Sequence, residues 1–311
     1  MSRVLVTGGA GFIGSHVADA FLEAGHEVAI VDNLSTGKRE NVPRGARFYE
    51  ADITSADLEG IFAAERPEIV DHHAAQIDVR VSVEKPVFDA DVNVLGTLNL
   101  LRLSVKARVE KFIFASSGGA IYGEPAKLPA PEGSDIAPIA PYGASKAAGE
   151  LYIETFGRLH GLHYTILRYG NVYGPRQDPL GEAGVVAIFS SAMLRGADVF
   201  IYGSGDQLRD YVYVDDVVSA NLAALSRGDG GVINIGTGKG TSVNELFKMM
   251  AEIVGYPKEP IYRARRPGEL ERTYLDVDKA KEVLGWEPAT DLDAGLRKTL
   301  EYFGRHSGVV I

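Results

Sequence analysis

The sequence predicts an α/β fold in which helices cover both faces of a doubly wound parallel sheet, followed by a smaller C-terminal α/β lobe. Two observations support this prediction. Short apolar runs alternate with stretches of helical periodicity over the first 170 residues, and such alternation is typical of parallel sheets. The apolar runs, among them VLV, VAIV and FIF, are continuous, as expected for strands that are buried on both faces.

Six strands and four helices are predicted in this first part of the chain. The predicted strands cover Arg3–Thr7, Val28–Val31, Arg47–Glu50, Ile69–His72, Lys111–Ala115 and Tyr164–Arg168. The predicted helices cover Phe12–Ala24, Asp57–Glu65, Pro86–Lys106 and Tyr142–His160. In Phe12–Ala24, for example, the apolar residues recur at the spacing of a helix with one buried face.

The alternation loosens after about Gly170, where long loops rich in glycine and proline separate the apolar stretches. The helices predicted there cover Val185–Arg195, Asp215–Ser226, Ser242–Val254, Asp278–Leu284 and Leu292–His306. We therefore predict two units, residues 1–170 and 171–311, with some segments of the second returning to the first.

Composition excludes several classes of protein. Of the 311 residues, 45% are hydrophobic and 24% are charged, which are ordinary values for a globular chain. The absence of cysteine excludes disulfides, thiol catalysis and cysteine-ligated metal sites. No apolar run approaches the ~18–20 residues that span a bilayer, and the first residues lack a signal-peptide layout, so we expect a cytoplasmic protein without a membrane partner. The net charge of −10 disfavours binding to nucleic acid.

A glycine-rich segment, TGGAGFIG at residues 7–14, follows the first predicted strand and opens the first predicted helix. Glycine lets the backbone approach a pyrophosphate closely, and the helix N-terminus offers its N–H groups to the phosphates. The segment therefore predicts a dinucleotide site of the Rossmann type, although a tight structural turn would show a similar pattern.

Two carboxylates follow the next strands. Asp32 ends the second predicted strand, where a carboxylate binds ribose hydroxyls and repels a 2′-phosphate, which favours NAD over NADP. Asp52 follows the third strand, where it could contact the adenine edge or cap the next helix. Asp71, His72 and His73 are adjacent at the end of the fourth strand; because neighbouring strand residues point to opposite faces, we predict no metal site there.

Tyr142 and Lys146 are spaced to lie one helical turn apart. A tyrosine titrates near ~10 and a useful base needs a pKa of ~6–7, a difference of about 4 kcal/mol. The positive charges of the lysine ammonium and of a nicotinamide ring could together lower the pKa of Tyr142 by this amount. Ser116 and Ser117 follow the fifth strand, where either hydroxyl could bind a substrate hydroxyl and relay its proton to Tyr142.

Ten segments carry a family resemblance. They are TGGAGFIGSH at 7–16, VDNLSTGKREN at 31–41, DI at 52–53, HHAAQ at 72–76, NVLGT at 93–97, SSGGAIYGE at 116–124, PYGASK at 141–146, LRYGNVYGPRQDP at 167–179, RDYVYVDD at 209–216 and INIGTG at 233–238. In this order, and over nearly the whole chain, they resemble the extended short-chain dehydrogenase/reductases that act on nucleotide sugars, and within these the UDP-glucose (UDP-galactose) 4-epimerases.

The resemblance implies that 1–170 binds NAD and that 171–311 mainly binds a nucleotide sugar. The implied cofactor contacts are Gly8, Gly11, Phe12, Ile13, Asp32, Asn33, Asp52, Ile53, Ala74, Ala75, Asn93, Tyr142 and Lys146. The implied catalytic residues are Ser117, Tyr142 and Lys146. The family's catalytic serine follows the fifth strand, and counting from that strand places it at Ser117, with Ser116 as the alternative. Counting back from Tyr122 would instead place it on Gly118, which has no hydroxyl, so we rely on the count from the strand. The implied substrate contacts are Ser117, Tyr142, Asn171, Val186, Arg209, Tyr211, Arg266 and Glu269, and Phe189 could lie against the uracil together with Val186.

The activity that the resemblance implies is 4-epimerisation of a UDP-hexose through transient oxidation at C4 and return of the hydride to the other face. It also implies a homodimer formed through the helices at 86–106 and 142–160. Thr273 stands where certain bacterial epimerases have a tyrosine that closes the sugar pocket, and Gly170 replaces a bulky aromatic, so we expect N-acetylated sugars to be accepted as well. The alternatives are a UDP-glucuronate 4-epimerase or decarboxylase and a non-catalytic NAD or nucleotide-sugar sensor.

Overall fold

The computed structural model describes residues 1–180, 184–265 and 270–307. Its strands are β1 Arg3–Thr7, β2 Glu27–Asp32, β3 Arg47–Glu50, β4 Ile69–His72, β5 Lys111–Ser117, β6 His163–Tyr169, β7 Asn171–Tyr173, β8 Phe200–Tyr202, β9 Leu208–Arg209, β10 Tyr211–Tyr213, β11 Gly231–Ile235, β12 Thr241–Ser242, β13 Ile261–Arg263 and β14 Arg272–Thr273. Its α-helices are α1 Phe12–Glu23, α2 Leu58–Glu65, α3 Val79–Glu84, α4 Pro86–Ala90, α5 Gly96–Ala107, α6 Gly118–Ile121, α7 Pro141–His160, α8 Val185–Leu194, α9 Val214–Ala224, α10 Val243–Val254, α11 Asp278–Leu284 and α12 Leu292–Ser307.

Seven parallel strands form the central sheet in the order β11-β6-β5-β4-β1-β2-β3. The predicted doubly wound α/β fold is thereby confirmed. β1 lies between β2 and β4, so the chain order reverses at this point of the sheet. In such sheets ligands bind in the crevice at the carboxyl ends of the strands beside the reversal.

Apolar side chains cover both faces of the sheet. One core cluster joins the sheet to α1, α9 and α11 through residues such as Phe21 and Val217, and a second joins it to α2, α5 and α7 through residues such as Phe62 and Ile153. A third cluster, which includes Phe189, fills the C-terminal lobe. No helix in the described ranges has the length and apolar character needed to cross a bilayer.

Several elements differ from the sequence-based expectation: α3, α6 and the strands β7–β14 are absent from it, and one predicted helix is divided. The helix predicted over Pro86–Lys106 is divided into α4 and α5 by a π turn at Asp91–Leu95. The turn sets the amide of Asn93 against the backbone of Gln76, whose N–H and C=O it binds at 2.9 Å each. β11 is absent from the prediction, because five residues between two turns carry little local signal and their partner β6 is distant in the chain.

Candidate active site

There is no room for a side chain at Gly8, in the loop between β1 and α1, or at Gly14, in the first turn of α1. Gly8 has a φ of +71°, and a Cβ there would lie 2.6 Å from the backbone nitrogen of Ala74. A Cβ on Gly14 would overlap the carbonyl oxygen of Gly8. The helix begins after Gly11 without a side-chain cap, so its first N–H groups are left to a ligand. This cradle fits a pyrophosphate, which can approach the backbone and the electropositive helix end closely.

Asp32, at the end of β2, is buried and rigidly held. Its carboxylate accepts hydrogen bonds from the N–H groups of Ala10 at 2.9 Å and Leu34 at 2.8 Å. Burial raises the pKa of Asp32, and these two bonds oppose the rise. Beside it, the amide of Asn33 donates to a carboxylate oxygen of Asp52 at 2.6 Å. The remaining lone pairs of Asp32 suit the hydroxyls of a ribose.

Most of the residues that the resemblance implies as NAD contacts line one cleft. Those that line it are Gly8, Gly11, Phe12, Ile13, Asp32, Asn33, Asp52, Ile53, Ala74, Ala75, Tyr142 and Lys146. Asn93 is the exception, because its side chain is buried behind the cleft wall against Gln76. The glycine cradle and the buried carboxylate therefore fit NAD, and these side chains would surround it.

His72 is a structural residue beneath this cleft. The hydroxyl of Thr97 donates to the carbonyl of Asn93 at 2.7 Å, so its oxygen accepts from Nε2–H of His72 at 3.0 Å. Nδ1 of His72 then accepts from the hydroxyl of Thr7 at 2.8 Å. Burial lowers the pKa of His72 well below its usual value, which keeps the ring neutral. The histidine thus joins β1, β4 and α5.

The neighbouring residues Asp71 and His73 contact each other beside Tyr169. Nε2 of His73 lies 3.1 Å from a carboxylate oxygen of Asp71, at ion-pair distance but without hydrogen-bond alignment, and both side chains are buried. The ring of His73 stacks on that of Tyr169. In the part of the chain that the structure describes, no three His, Asp or Glu side chains converge to hold a metal ion.

Tyr142 and Lys146 lie one turn apart at the start of α7, which opens with Pro141, a favoured first residue. Lys146 is buried, and its Nζ donates to the carbonyl of Ala115 at 2.9 Å. The same atom lies 5.9 Å from the centre of the Tyr142 ring. Burial lowers the pKa of Lys146 to about 8. A charged lysine at this place favours the phenolate form of Tyr142.

The two serines at the end of β5 face different surroundings. Ser116 is buried, and its hydroxyl donates to Oε1 of Glu150 at 2.5 Å. Both serines line a second cleft, but the hydroxyl of Ser116 is already bound to Glu150. A Cβ at Gly118 would lie 2.7 Å from Cδ1 of Leu275, so a side chain there would require Leu275 to move. Among the three positions, the geometry favours Ser117 for contact with a substrate.

The second cleft has a volume of about 540 Å³ and lies between the sheet and the C-terminal lobe. The residues that line both clefts are Phe12, Ile13, Ile77, Ser116, Tyr142 and Tyr169. The substrate contacts implied by the resemblance that line it are Ser117, Tyr142, Asn171, Arg209 and Tyr211. A ligand in the second cleft would therefore meet a cofactor in the first beside Tyr142.

Other implied substrate contacts are placed differently. Val186 is buried in the core of the C-terminal lobe, whereas Val185, Ile188 and Phe189 of the same helix line the cleft. A step of one residue turns a helical side chain by about 100°, which accounts for the difference. The predicted contacts at positions 266 and 269 lie outside the described residues.

The segment around Arg209 contains a buried carboxylate that sequence reasoning did not single out. The guanidinium of Arg209 donates to the carbonyl of Leu270 at 2.8 Å. The adjacent Asp210 is buried and accepts bonds from the N–H groups of Thr237 at 2.7 Å and Leu275 at 3.0 Å. Asp210 lies inside the RDYVYVDD segment, but its partners come from loops that only the fold brings near.

Comparisons with known proteins agree with this geometry. The model of the NAD dependent epimerase/dehydratase family matches residues 4–236. The UDP-glucose 4-epimerase of Mycolicibacterium smegmatis is 47% identical over 311 residues, which cover 98% of this chain and 99% of that protein. The crystal structure of UDP-glucose 4-epimerase from Thermotoga maritima with UDP-glucose is 57% identical, with a TM-score of 0.97 over 98% of this chain and 99% of that one. The crystal structure of the Thermus thermophilus UDP-glucose 4-epimerase complex with NAD is 48% identical, with a TM-score of 0.92 over 97% and 98%. This chain belongs to the NAD dependent epimerase/dehydratase family.

Proposed function

We propose that this protein is an NAD-dependent 4-epimerase that interconverts UDP-glucose and UDP-galactose. The meeting of two clefts at Tyr142 is the observation that carries the proposal. One cleft has the glycine cradle and the buried Asp32 that suit a dinucleotide, and the other has Arg209 and the polar residues that suit a nucleotide sugar. The similar solved structures, one with NAD and one with UDP-glucose, support this assignment.

The residues at the junction have distinct roles in this proposal. When bound, NAD supplies the oxidant for C4 of the sugar and the hydride for its return. Tyr142 removes the proton of the C4 hydroxyl and later gives it back. Lys146 stabilises the phenolate through its charge, and the hydroxyl of Ser117 orients the C4 oxygen. The reaction has no net redox change, so the cofactor would stay bound from one cycle to the next.

Epimerisation requires a tightly held nucleotide and a sugar that is free to turn. Arg209 would anchor the diphosphate, and we extend this role to Arg266 by the resemblance. Gly119 and Gly170 line this cleft. An added Cβ would fit at Gly119, so its absence leaves space there, whereas at Gly170 a Cβ would lie 2.8 Å from the carbonyl oxygen of Asp210. In this proposal, residues 1–170 would mainly bind NAD, and residues 171–311 would mainly bind the nucleotide sugar.

We also propose that N-acetylated UDP-hexoses are substrates. Thr273 of β14 is buried and is not among the residues that line the second cleft, but its register partner, Arg209 of β9, lines it. A threonine at this place occupies less space than the tyrosine that certain bacterial epimerases carry. Turnover of UDP-N-acetylgalactosamine is therefore expected, and its complete absence alongside rapid turnover of UDP-galactose would refute this part of the proposal.

The protein is further proposed to act as a homodimer. The helices α3, α4 and α7 pack against one another, and their outer surface carries exposed apolar side chains. These residues, which we call the α3–α7 surface, are Val79, Val83, Val87, Phe88, Leu95, Leu151, Tyr152 and Leu159. A second copy of the chain would cover this surface. The cytoplasmic location expected from the sequence stays a prediction.

The first experiment is proton NMR of the anomeric region after purified protein is incubated with UDP-galactose and no added cofactor. We expect the UDP-glucose signal to grow to a constant ratio, because NAD retained through purification would be regenerated in each cycle. A parallel sample with UDP-N-acetylgalactosamine tests the wider substrate range.

A spectrum that stays unchanged after NAD is added would contradict the proposed function. The same assay with UDP-glucuronate would then identify the alternatives, since a 4-epimerase yields UDP-galacturonate and a decarboxylase yields a UDP-pentose and carbon dioxide. Binding of NAD and UDP-sugars without any conversion would indicate a sensor.

A further inference from the structure

A buried charged network lies directly behind the Ser117–Tyr142–Lys146 set. Glu150 is one turn beyond Lys146 on α7, so the three residues at 142, 146 and 150 lie along the same side of the helix. Glu150 is 4% exposed and points away from solvent. The proposed mechanism does not involve this carboxylate.

Both oxygens of Glu150 are engaged. Arg168 of β6 binds them with its Nε, at 2.9 Å to Oε1 and 3.2 Å to Oε2, and with its terminal nitrogen at 2.6 Å to Oε2. The hydroxyl of Ser116 donates to Oε1 at 2.5 Å. Ser116 and Arg168 are register partners across β5 and β6. One carboxylate thus joins the helix of the base to the carboxyl ends of two strands.

The attachment fixes the residues on either side of Ser116. Ala115 precedes Ser116, and its carbonyl oxygen accepts a hydrogen bond from Nζ of Lys146 at 2.9 Å. Ser117, which follows Ser116, lines the substrate cleft. If the end of β5 moved, the lysine would lose its acceptor and the serine hydroxyl would move relative to Tyr142, where displacements of about 1 Å are costly to catalysis.

Charge adds a second effect. Burial lowers the pKa of Lys146, and the carboxylates of Asp89 and, to a smaller extent, Glu150 counteract this effect. Other ionisable groups around the pair are Arg168 and Tyr122 on the Glu150 side and the neutral His72 on the lysine side. Without the charge of Glu150, Arg168 would be an unbalanced cation in this region.

We propose that Glu150 is a positioning residue for the proposed epimerase site: by binding Ser116 and Arg168 it holds the end of β5 against α7 and keeps Lys146 charged beside Tyr142. The inference rests on the proposed function, since it assigns Glu150 a role in the same reaction. It gives Glu150 no direct contact with substrate or cofactor.

The test compares pH profiles of kcat and KM for UDP-galactose in the wild type and in Glu150→Gln, with NAD content and thermal unfolding measured on the same samples. In Glu150→Gln we expect kcat at pH 8 to fall at least tenfold and KM to stay within about twofold. The pH at which kcat declines on the alkaline side should move down by about one unit, because one buried negative charge near Lys146 is lost. A purely structural role would not move this pH.

The matched control is Glu154→Gln, the same change one turn further along α7, where the carboxylate binds Arg158 at the surface. Its profile should match that of the wild type. A folded Glu150→Gln variant with the wild-type kcat and alkaline decline would overturn the inference.

The Glu150→Gln variant could fail to fold because Arg168 is left unpaired, and the test is then made with Ser116→Ala. This variant should lower kcat about tenfold at unchanged KM, and an unchanged kcat would overturn the proposal. Failure of the proposed function is distinguishable, since the wild type itself would then not convert UDP-galactose.

Discussion

Tyr142 lines both clefts, so in the proposed reaction it would contact both the cofactor and the sugar. We predict that Tyr142→Phe lowers kcat for UDP-galactose by about 10²–10⁴-fold, the usual contribution of a positioned acid–base group. Affinity for UDP-glucose, measured by calorimetry, should stay within a few-fold because the nucleotide contacts are elsewhere. Retention of more than a tenth of the wild-type kcat would place the base on another residue.

Lys146 sets the expected pH dependence. Burial lowers its pKa to about 8, so the ammonium form predominates below that pH and is lost as the pH rises. Since the charged form stabilises the phenolate of Tyr142, we predict that kcat declines as the pH rises above about 8. The measurement is the initial rate of epimerisation between pH 6 and 10, with NAD content checked at each pH. A kcat that still rises at pH 10 would contradict this role for Lys146.

Individual residues differ in how far sequence could place them. Tyr142 and Lys146 were predictable because four residues in a helix always make one turn. The choice between Ser116 and Ser117 was not, since it depends on Glu150 and Arg168, which are distant in sequence from both serines. Val186 is buried in the lobe while its neighbour Val185 lines the second cleft, and sequence could not separate the two because the orientation of α8 in the lobe is a tertiary property.

At the scale of elements, the β1–α1 turn depends on glycine for steric reasons. We predict that Gly14→Ala lowers the free energy of unfolding by about 2 kcal/mol and reduces the NAD content of the purified protein, because its Cβ would overlap the carbonyl oxygen of Gly8. The measurements are urea unfolding and the absorbance of released cofactor.

Gly60→Ala is the control for that substitution. Gly60 is an exposed residue of α2, and a Cβ there would meet nothing within 4 Å. This variant should gain roughly 0.5–1 kcal/mol, since alanine is the better helix former, and should keep its NAD. Equal behaviour of the two variants would show that the turn tolerates a side chain.

Strands and helices with clear periodicity were predictable to within a few residues. The π turn at Asp91–Leu95 was not, because its wider turn is associated with bonds between Asn93 and Gln76 in a separate loop. β11 could not be predicted for the same kind of reason, as its strand conformation depends on pairing with β6.

At the scale of the whole molecule, the α3–α7 surface predicts the oligomeric state. We expect the double substitution Val87→Glu with Leu151→Glu to halve the mass measured by light scattering, because buried charges would oppose the apolar contact. Val283→Glu, an exposed apolar residue of α11 away from this surface, should leave the mass unchanged. A wild type that is monomeric at micromolar concentration would refute the proposed dimer.

The sequence by itself determined the α/β alternation, the glycine loop with Asp32, and the pairing of Tyr142 with Lys146. Each of these depends on contacts between residues near one another in the chain, where helix and strand geometry dictates the spacing. Only the tertiary structure decided which serine hydroxyl is bound to Glu150, that the two clefts share Tyr142, and that Glu150 joins α7 to the ends of β5 and β6. Those contacts join distant segments, and their geometry depends on strand order, register and helix orientation, which are set by packing of the whole core.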